Sequence, residues 1–499
     1  MKKRVKYGFL LLFVFCAIGS TTVFADTELE STTNTEKEIT LDGNTTTYQS
    51  VEGSRYGFGN TTGFEFNLPG TEYEAEVTFS NPYEETYTVE VWDEFGKQTK
   101  KQKIEPGQTI SVQFRVSVIQ NNLKLFFLAE TDAFATEQKE ILIHSIRIKT
   151  VEQEISSQPT LHIVGDSIAR SYSSNVYPRT GWGQTLVKYM EHGQVLYEKY
   201  EEAEHDLCDY TEYGMPSFTV KNWAHSGDSS ESFWKLGKFD CILNEVKQGD
   251  YLLIQLGNND IRKAPNYYST PEKYSQNLER FIIGCKERGA QCILLSPTPK
   301  CIYSKGVIKT TAPSHKAKLK PLAKKTGAVF VDTGAAIEKY MTTVGEKQAR
   351  TYYMIFKSGL YSHYPNGKND NHHFNVTGAT KIGQIIAVTL KENSKTPEFL
   401  RNVITADSNY YKGVTVTLQK KKIKAQVTKK KGSRTKKITR YRLSWTKQKN
   451  AKKYIIYRYD SKKKTYKKLK TTTKTTYLFD KKWKKSQVSK MKVVAVLGR

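Results

Sequence analysis

Apolar and polar residues follow three successive patterns along the chain, and the first is a strict alternation between residues 48 and 150. The alternating runs are residues 74–79, 87–92, 110–116, 123–127 and 141–148. A period of two is typical of half-buried β-strands. Asn81-Pro82 and Pro106-Gly107 separate runs as turns. No helical period competes, so the pattern predicts a small β-sandwich over residues 48–150.

The second pattern covers residues 158–395, where apolar runs of strand length alternate with amphipathic stretches of helix length. The predicted strands are residues 161–164, 218–223, 251–256, 292–295 and 328–331. The predicted helices lie near residues 182–190, 230–247, 271–288, 314–325 and 376–391. This alternation predicts an α/β fold in which helices cover both faces of a parallel sheet. Such folds bind ligands beyond the carboxyl ends of their strands, so we expect the chemistry there.

The third pattern follows a predicted linker over residues 396–412 and consists again of short strands. They are residues 440–445, 453–459, 465–470, 475–479 and 491–497. Leu443-x-Trp445 and Tyr454-x-Ile456-Tyr457-Arg458 have a spacing that resembles a fibronectin type III-like module. We therefore expect a second β-domain over residues 413–499.

The amino terminus has the pattern of a cleaved secretory signal over residues 1–25. Basic residues from Lys2 to Lys6 precede an apolar stretch over residues 8–19, and Val23-Phe24-Ala25 offers a small-residue cleavage site. The apolar stretch is short for a membrane span. We therefore expect a secreted, extracellular protein with no membrane insertion after cleavage, and a flexible Thr/Glu-rich leader over residues 26–47.

The cysteines after the signal are too few and too scattered for a disulfide framework or a zinc site. They are Cys208, Cys241, Cys285, Cys292 and Cys301, an odd number without a Cys-x-x-Cys pair. We expect buried thiols, and the sequence leaves one disulfide open.

Net charge first suggests a nucleic-acid partner, because 78 Lys+Arg against 50 Asp+Glu give +28 over 499 residues. The distribution argues against it. Residues 411–499 hold 32 of the basic residues with only Asp460 and Asp480 as acids, so the rest of the chain is close to neutral. The charge therefore belongs to the basic terminal module and not to the α/β domain.

Three predicted strand ends carry polar residues beside a glycine. Gly165-Asp166-Ser167 follows the first strand, His225-Ser226-Gly227 the second and Gly257-Asn258-Asn259 the third. A serine between a strand and a following helix meets free backbone N–H groups that favour a developing negative charge. The Asn259 amide can donate a hydrogen bond to such an oxyanion. Taken singly, each block is also ordinary turn chemistry.

A fourth block, Asp370-Asn371-His372-His373-Phe374, places a carboxylate and an imidazole on one side of a predicted tight turn. Asp370 can then hold Nδ1 of His373 while Nε2 faces a nucleophile. Alone, the block also fits a polar surface loop or an adventitious metal site.

In their order and content, the four blocks resemble the SGNH (GDSL-type) hydrolase superfamily over about residues 158–395. Finer features are similar to rhamnogalacturonan acetylesterases: Gly181-Trp182-Gly183, the segment 222–233, and Asp370-x-x-His373-Phe374 with Gly378-Ala379. Asp228 and Glu231 depart from the basic residues common in that group, which affects the expected polysaccharide more than the chemistry.

The resemblance implies a flavodoxin-like three-layer domain and a role for each block. Ser167 is the nucleophile, His373 its base, and Asp370 the group that orients the imidazole; Ser167, Gly227 and Asn259 form the oxyanion hole. No metal or organic cofactor is implied. Trp182 and Trp223 are candidates for stacking on a sugar, with a core role as the alternative.

The expected function is a secreted serine esterase that deacetylates a plant pectic polysaccharide, with rhamnogalacturonan as the first candidate. One alternative is an esterase or lipase acting on another acyl ester, such as the acetyl groups of xylan or of the bacterial wall. Another is a non-catalytic surface protein that binds carbohydrate through its β-modules, of which residues 48–150 are the first candidate. Because a secreted protein meets polyanions and little nucleic acid, residues 413–499 are expected to bind a cell-wall or pectin polyanion. A merely solvated basic surface is the alternative.

Overall fold

The computed structural model describes residues 36–40, 62–66, 68–93, 99, 101–131, 142–151, 158–201, 208–412, 414–431, 434–461, 465–480 and 483–498. The predicted signal over residues 1–25 lies outside these residues, as does most of the predicted leader. None of the described helices is long and apolar enough to cross a membrane.

The amino-terminal part consists of two four-stranded antiparallel sheets that face each other. Its strands are β1 (Glu36–Thr40), β2 (Thr62–Phe66), β3 (Glu72–Ser80), β4 (Tyr87–Asp93), β5 (Gln102–Ile104), β6 (Thr109–Ser117), β7 (Leu123–Thr131) and β8 (Leu142–Thr150). The sheet orders are β1-β8-β3-β6 and β2-β7-β4-β5. Phe79 of the first sheet meets Phe127 of the second edge-on, with ring centroids 5.7 Å apart, inside one hydrophobic core.

The predicted flexible leader contains a strand. β1 pairs antiparallel with β8, with Ile39 opposite Ile146, so residues 36–40 extend the edge of the first sheet. An edge strand needs only backbone pairing on one side, and the Thr/Glu-rich composition gave no periodicity from which to predict it.

The α/β domain follows and supplies most of the helices. Its elements are β9 (Thr160–Gly165), α1 (Trp182–Leu186), β10 (Tyr197–Glu201), β11 (Tyr210–Gly214), β12 (Thr219–Asn222), α2 (Ser230–Lys235), α3 (Lys238–Leu243), β13 (Tyr251–Gln255), α4 (Pro271–Glu287), β14 (Gln291–Leu295), β15 (Tyr303–Ser304), β16 (Val307–Ile308), α5 (Pro313–Thr326), β17 (Val329–Val331), α6 (Thr333–Val344), α7 (Glu346–Ala349), β18 (Tyr353–Phe356), β19 (Lys368–Phe374), α8 (Val376–Glu392) and α9 (Glu398–Val403).

The central sheet is mixed, in the order β10-β11-β12-β9-β13-β14-β17. The five strands β12, β9, β13, β14 and β17 are parallel, and in chain order they read 2-1-3-4-5, the flavodoxin order. The prediction of a wholly parallel sheet is wrong for β10 and β11, which pair antiparallel. The link from β11 to β12 is too short for a crossover helix, and β10 is so exposed that its sequence shows no apolar period.

Helices cover both faces of this sheet because alternate strand residues point to opposite sides. Leu161 and Ile163 of β9 join one core with α1, α6 and α8. Val164 joins the other core with α2, α3, α4 and α5. The domain therefore has three layers, and its catalytic candidates lie at the carboxyl edge of the middle layer.

The carboxy-terminal module contains one helix, α10 (Lys485–Ser489), and seven strands: β20 (Thr415–Leu418), β21 (Lys420–Lys431), β22 (Arg434–Trp445), β23 (Ala451–Asp460), β24 (Thr465–Thr472), β25 (Thr476–Leu478) and β26 (Lys492–Leu497). The strands form a four-stranded sheet, β20-β26-β23-β24, and a three-stranded sheet, β21-β22-β25. β20 and β21 were not predicted: β20 has only four residues, and the lysine-rich β21 carries little apolar signal.

The predicted linker over residues 396–412 is not a free connector. It contains α9 and buries Tyr410 and Tyr411, whose core is continuous with Leu443 and Tyr454 of the carboxy-terminal module. Gln448 also donates a hydrogen bond to the carbonyl of Thr343 in α6, at 3.1 Å. The α/β domain and the module therefore share one hydrophobic core.

The amino-terminal sheets also contact the α/β domain. Ile119 is buried in the core beneath α3 and α4. The backbone N–H of Ser117 donates to Asp240 Oδ1 at 3.2 Å, and that of Gln120 donates to Glu287 at 3.2 Å. Cys208 and Cys241 form a disulfide that ties the segment before β11 to α3, whereas Cys285, Cys292 and Cys301 are buried thiols.

Candidate active site

Ser167 lies two residues beyond β9, in the turn between the sheet and the next segment. The backbone N–H groups of Ala169 and Arg170 both donate to the carbonyl of Asp166, at 2.9 and 3.1 Å. The predicted helix after Ser167 is absent, because the chain makes this one turn and then runs irregularly to α1. The free N–H groups near Ser167 therefore come from a turn and not from a helix amino terminus.

His373 and Asp370 lie on β19, which pairs with β18 across a register shift. His373 Nε2 is 2.9 Å from Ser167 Oγ, and His373 Nδ1 is 2.7 Å from Asp370 Oδ2. The predicted tight turn is instead an irregularity within a strand, in which residues 371–373 have no partner on β18. The structure therefore brings the three residues into one hydrogen-bonded chain.

Asp370 is held as an acceptor by its own strand. Its Oδ1 accepts the backbone N–H groups of His372 and His373, at 2.9 and 3.1 Å. Burial alone would raise the pKa of Asp370, but the hydrogen bond and charge of His373, with these two N–H groups, outweigh burial and lower it below its usual range. An ionised Asp370 keeps the proton of His373 on Nδ1, so that Nε2 is the acceptor facing Ser167.

His372 has a different environment from its neighbour. Burial, followed by the charges of His373 and Lys300, lowers the pKa of His372 to about 3. Its Nε2 is buried and has no hydrogen-bond partner among the described residues. His372 therefore stays neutral at physiological pH and makes no contact with Ser167.

The loop after β12, which carries Gly227, is tied by backbone hydrogen bonds to the end of β9, just before Ser167. Trp223 N–H donates to Ile163 O at 2.9 Å, and His225 N–H donates to Gly165 O at 3.1 Å. Gly227 has φ of +91°, a conformation that side-chain-bearing residues rarely adopt. Within the described part of the chain, neither the N–H of Ser167 nor that of Gly227 donates a hydrogen bond, so both are available to an oxyanion.

Asn259 completes this set of donors from the end of β13. Its Nδ2 donates to the carbonyl of Asp228 at 2.9 Å, which fixes the amide and leaves its second N–H for another acceptor. β9 and β13 are neighbouring parallel strands, and the strand order reverses between them. Their carboxyl ends therefore bring Ser167 and Asn259 to the same edge of the sheet.

Buried Asp228 and half-buried Glu231 hold the segment that follows Gly227. Asp228 Oδ2 is 2.5 Å from Lys238 Nζ, and its Oδ1 accepts from Ser232 Oγ at 3.0 Å. Glu231 accepts from Asn277 Nδ2 at 2.9 Å and lies 3.3 Å from Lys235 Nζ. The two acidic departures noted in the sequence therefore have partners within the protein.

Asp166, next to the serine, is fully buried. Burial, together with the charges of Asp260 and Asp228, raises its pKa to about 7, against the hydrogen bond that its Oδ1 accepts from Ile168 N–H. Asp166 Oδ2 has no hydrogen-bond partner among the described residues. A side chain in this position shapes the turn and does not reach a substrate.

Trp182 and Trp223 are not placed to stack on a sugar. Trp182 is 0% exposed and donates through Nε1 to Gln255 at 2.7 Å. Trp223 is 5% exposed and donates to His162 Nδ1 at 3.0 Å, beside the ring of Tyr210. Both rings stabilise the core, which is the alternative that the sequence left open.

A pair of tyrosines that the sequence did not single out, one exposed and one half-buried, lies on the segments leading from Ser167 and to Asp370. Tyr177 is 49% exposed, and its ring meets that of Tyr361 edge-on at 5.8 Å. Tyr364 OH donates to Val176 O at 3.2 Å, which joins the two segments. Hydrophobic pattern alone gave no signal for this pair, because isolated tyrosines in turns are common.

Among the described residues, no group of three or more His, Cys, Asp and Glu side chains is arranged to hold a metal ion. The acid–base groups found near Ser167 are His373 and Asp370, which match the pattern of nucleophile, base and orienting acid of serine hydrolases.

Comparison with known families agrees with this geometry. Residues 161–386 match the model of the GDSL-like lipase/acylhydrolase family. This domain is an SGNH hydrolase. The chain is accordingly a carboxylic ester hydrolase.

Named relatives of the SGNH hydrolase domain occur in Bacillus subtilis (strain 168). The "Probable rhamnogalacturonan acetylesterase YesY" is 28% identical over 235 residues, covering 46% of this chain and 92% of that protein. "Rhamnogalacturonan acetylesterase RhgT" is 27% identical over 232 residues, covering 46% and 88%. "Uncharacterized esterase YxiM" is 22% identical over 358 residues, covering 71% and 81%, so its match extends beyond the SGNH hydrolase domain.

Solved structures are similar at lower identity. The crystal structure of the YxiM protein aligns with a TM-score of 0.38 at 22% identity, covering 72% of this chain and 88% of that chain. Axe2, an acetylxylan esterase from Geobacillus stearothermophilus, aligns with a TM-score of 0.32 at 15% identity, covering 48% and 96%.

Proposed function

We propose that the chain is a secreted serine esterase that removes acetyl groups from a pectic polysaccharide, with rhamnogalacturonan as its substrate. The observation that carries the reaction is the hydrogen-bonded chain from Asp370 through His373 to Ser167, with steps of 2.7 and 2.9 Å. These are the distances over which a general base takes a proton from a nucleophile.

In the first half-reaction, Ser167 Oγ attacks the acetyl carbonyl carbon while His373 Nε2 accepts the serine proton. Asp370 stabilises the imidazolium that forms. The negative charge on the former carbonyl oxygen is met by the N–H groups of Ser167 and Gly227 and by Asn259 Nδ2–H. The intermediate collapses when His373 returns the proton to the sugar oxygen, which leaves as a hydroxyl group, and Ser167 keeps the acetyl group.

In the second half-reaction, a water molecule replaces the sugar. His373 Nε2 accepts one water proton as the water oxygen attacks the acetyl-serine carbonyl. The same three donors stabilise the second oxyanion. The bond between the acetyl carbon and Ser167 Oγ then breaks as His373 returns the proton to Oγ. Acetic acid, which keeps the second water proton, leaves and ionises to acetate in solution, and the free enzyme is restored.

The choice of polysaccharide is supported by two relatives whose names give rhamnogalacturonan acetylesterase activity and which match along 92% and 88% of their length. The test is acetate release from acetylated rhamnogalacturonan, acetylated xylan and acetylated peptidoglycan by the full chain. Preferential release from rhamnogalacturonan supports the proposal. Release from xylan or peptidoglycan alone would keep the esterase mechanism but show that the proposed substrate is wrong.

Secretion is part of the same proposal. It is supported by the signal pattern of residues 1–25 and by the Cys208–Cys241 disulfide, since disulfides persist in oxidising compartments. We further infer that the amino-terminal sheets form a β-sandwich module and that residues 413–499 form a fibronectin type III-like module. The latter would hold the enzyme on a cell-wall or pectin polyanion through its excess of lysines.

A further inference from the structure

Two arginines lie close to Tyr172, a residue that contacts the nucleophile. The guanidinium carbon of Arg179 is 4.7 Å from the centroid of the Tyr172 ring, and that of Arg170 is 5.8 Å from it. Tyr172 OH donates to the carbonyl of Ser167 at 2.9 Å. Both positive charges therefore lie within one side chain of the serine.

The same arginines contact the two segments that carry Gly227 and His373. Arg170 Nη1 donates to Ser226 Oγ at 3.2 Å, directly before Gly227 of the proposed oxyanion hole. Arg179 pairs through its backbone with Asn375, two residues after His373. A group bound by both guanidinium groups would therefore lie close to the segments that carry Gly227 and His373.

These arginines lack the carboxylate partners that other basic residues of the domain have. Lys238 lies 2.5 Å from Asp228, Lys221 lies 2.7 Å from Glu245, and Lys316 lies 2.9 Å from Asp332. Among the described residues, no carboxylate oxygen lies within 4.0 Å of Arg170 or Arg179, and Arg179 Nε is buried without a hydrogen-bond partner. Both arginines are half-buried, and guanidinium groups that have no counter-ion among the described residues can bind an anion such as a carboxylate.

We propose that Arg170 and Arg179 bind a carboxylate of the substrate, carried by a uronic acid residue at or next to the acetylated sugar. This inference rests on the proposed polysaccharide deacetylation and specifies the substrate class. A guanidinium group binds a carboxylate with two parallel hydrogen bonds, which fixes orientation as well as charge. A neutral polysaccharide offers no such group and would leave both arginines unpaired.

The test uses hydrolysis of p-nitrophenyl acetate by the full chain, with trigalacturonate and neutral galactotriose as competitors. We expect trigalacturonate to inhibit competitively and galactotriose to inhibit far more weakly. In Arg170→Gln and Arg179→Gln, the inhibition constant for trigalacturonate should rise roughly tenfold or more, as for loss of a hydrogen bond to a charged group. Arg170→Lys and Arg179→Lys keep the positive charge but lose the paired hydrogen bonds of the guanidinium group. Their inhibition constants for trigalacturonate should lie between those of the wild type and of the Gln variants.

Lys325→Gln is the matched control, since Lys325 lies in the last turn of α5, near the start of β17 and so at the edge of the sheet opposite Ser167. It removes one positive charge there and should leave the inhibition constant unchanged. Equal inhibition by acidic and neutral trisaccharides, or an unchanged constant in both Gln variants, would overturn the carboxylate site.

A measurement on the wild type alone covers the case in which the arginine variants fold poorly. Acetylated rhamnogalacturonan whose carboxyl groups are methyl-esterified should show a roughly tenfold lower kcat/KM for acetate release than the charged polymer. Equal rates would again contradict the inference. Absence of acetate release from either polymer would instead refute the proposed function, while inhibition by trigalacturonate would still decide the arginine site.

Discussion

The catalytic edge of the α/β domain and the carboxy-terminal module use charge in opposite ways. At the edge, most charged groups are buried or half-buried and paired at short range, as Asp370 with His373 at 2.7 Å and Asp228 with Lys238 at 2.5 Å, with Arg170 and Arg179 as exceptions. Residues 411–499 instead carry 32 Lys+Arg against two Asp. Two carboxylates cannot neutralise so many cations, so most of that charge faces solvent or an external partner.

The difference separates two kinds of function within one folded unit. Charges in a low-dielectric site interact strongly, so displacing one group changes pKa values and rates by large factors. Exposed charges are screened by salt, and each adds little. Single substitutions at the catalytic edge should therefore change the rate of ester hydrolysis by large factors. Several substitutions in the module should be needed to change its affinity for a polyanion.

The largest expected effect is the contrast between two adjacent histidines at the edge. His373→Ala should lower kcat for acetate release roughly 10⁴–10⁶-fold, as for loss of the base of a serine hydrolase triad. His372→Ala should cost far less, because its ring is neutral and makes no contact with Ser167. A large loss in His372→Ala with little change in His373→Ala would reverse the choice of histidine.

A smaller loss is expected from the oxyanion donor Asn259. Asn259→Ala removes one donor and should lower kcat about 10²–10³-fold. Asn259→Asp is the matched control for shape; it places a carboxylate near the oxyanion and should be no better than Ala. Wild-type kcat in Asn259→Ala would exclude this side chain from the oxyanion hole.

Attachment through the basic module should change gradually. Because the module shares its core with Tyr410 and Tyr411, deleting residues 413–499 would expose apolar surface, so substitution is the cleaner test. Replacing the exposed Lys421, Lys453, Lys468 and Lys470 together by Gln should weaken binding to polygalacturonate at low salt roughly tenfold. Kinetics on p-nitrophenyl acetate should not change.

The control for that variant is the same number of substitutions in the α/β domain. Lys273, Lys320, Lys324 and Lys325 are also exposed. If their replacement weakens binding to polygalacturonate equally, the total charge of the protein and not the basic module is responsible for attachment.

The smallest expected effect is a change in the pH dependence of stability at Asp166. In the unfolded chain its carboxyl titrates near an ordinary pKa of about 4, whereas in the folded protein burial raises the pKa to about 7. As pH rises between these values the unfolded state loses its proton first, so the wild type is progressively destabilised. Asp166→Asn does not titrate, so its Tm relative to wild type should increase between pH 4 and pH 8; a constant difference would contradict the raised pKa.

The candidate site was largely accessible from the sequence because its residues follow strand ends at recognisable spacing. Gly165-Asp166-Ser167 and Asn259 come directly after apolar runs, and parallel strands bring such ends to one edge. Asp370 and His373 were placed correctly as partners, although the local structure is a strand irregularity and not a tight turn.

The remaining features depend on tertiary context that local patterns do not contain. Trp182 and Trp223 have the composition of sugar-binding residues, and only packing shows that their rings are buried. β10 and β21 are too polar to reveal a period, since backbone pairing determines them. The arginines beside Tyr172 were not singled out, because their lack of a carboxylate partner is visible only in three dimensions.

The most direct test of the central claim is acetate release from acetylated rhamnogalacturonan by wild type and by Ser167→Ala at equal concentration. We expect release by the wild type and a loss of roughly 10⁴-fold or more in the variant, with an unchanged melting temperature. Equal release by the two proteins would contradict the assignment of Ser167 as the nucleophile, and with it the mechanism.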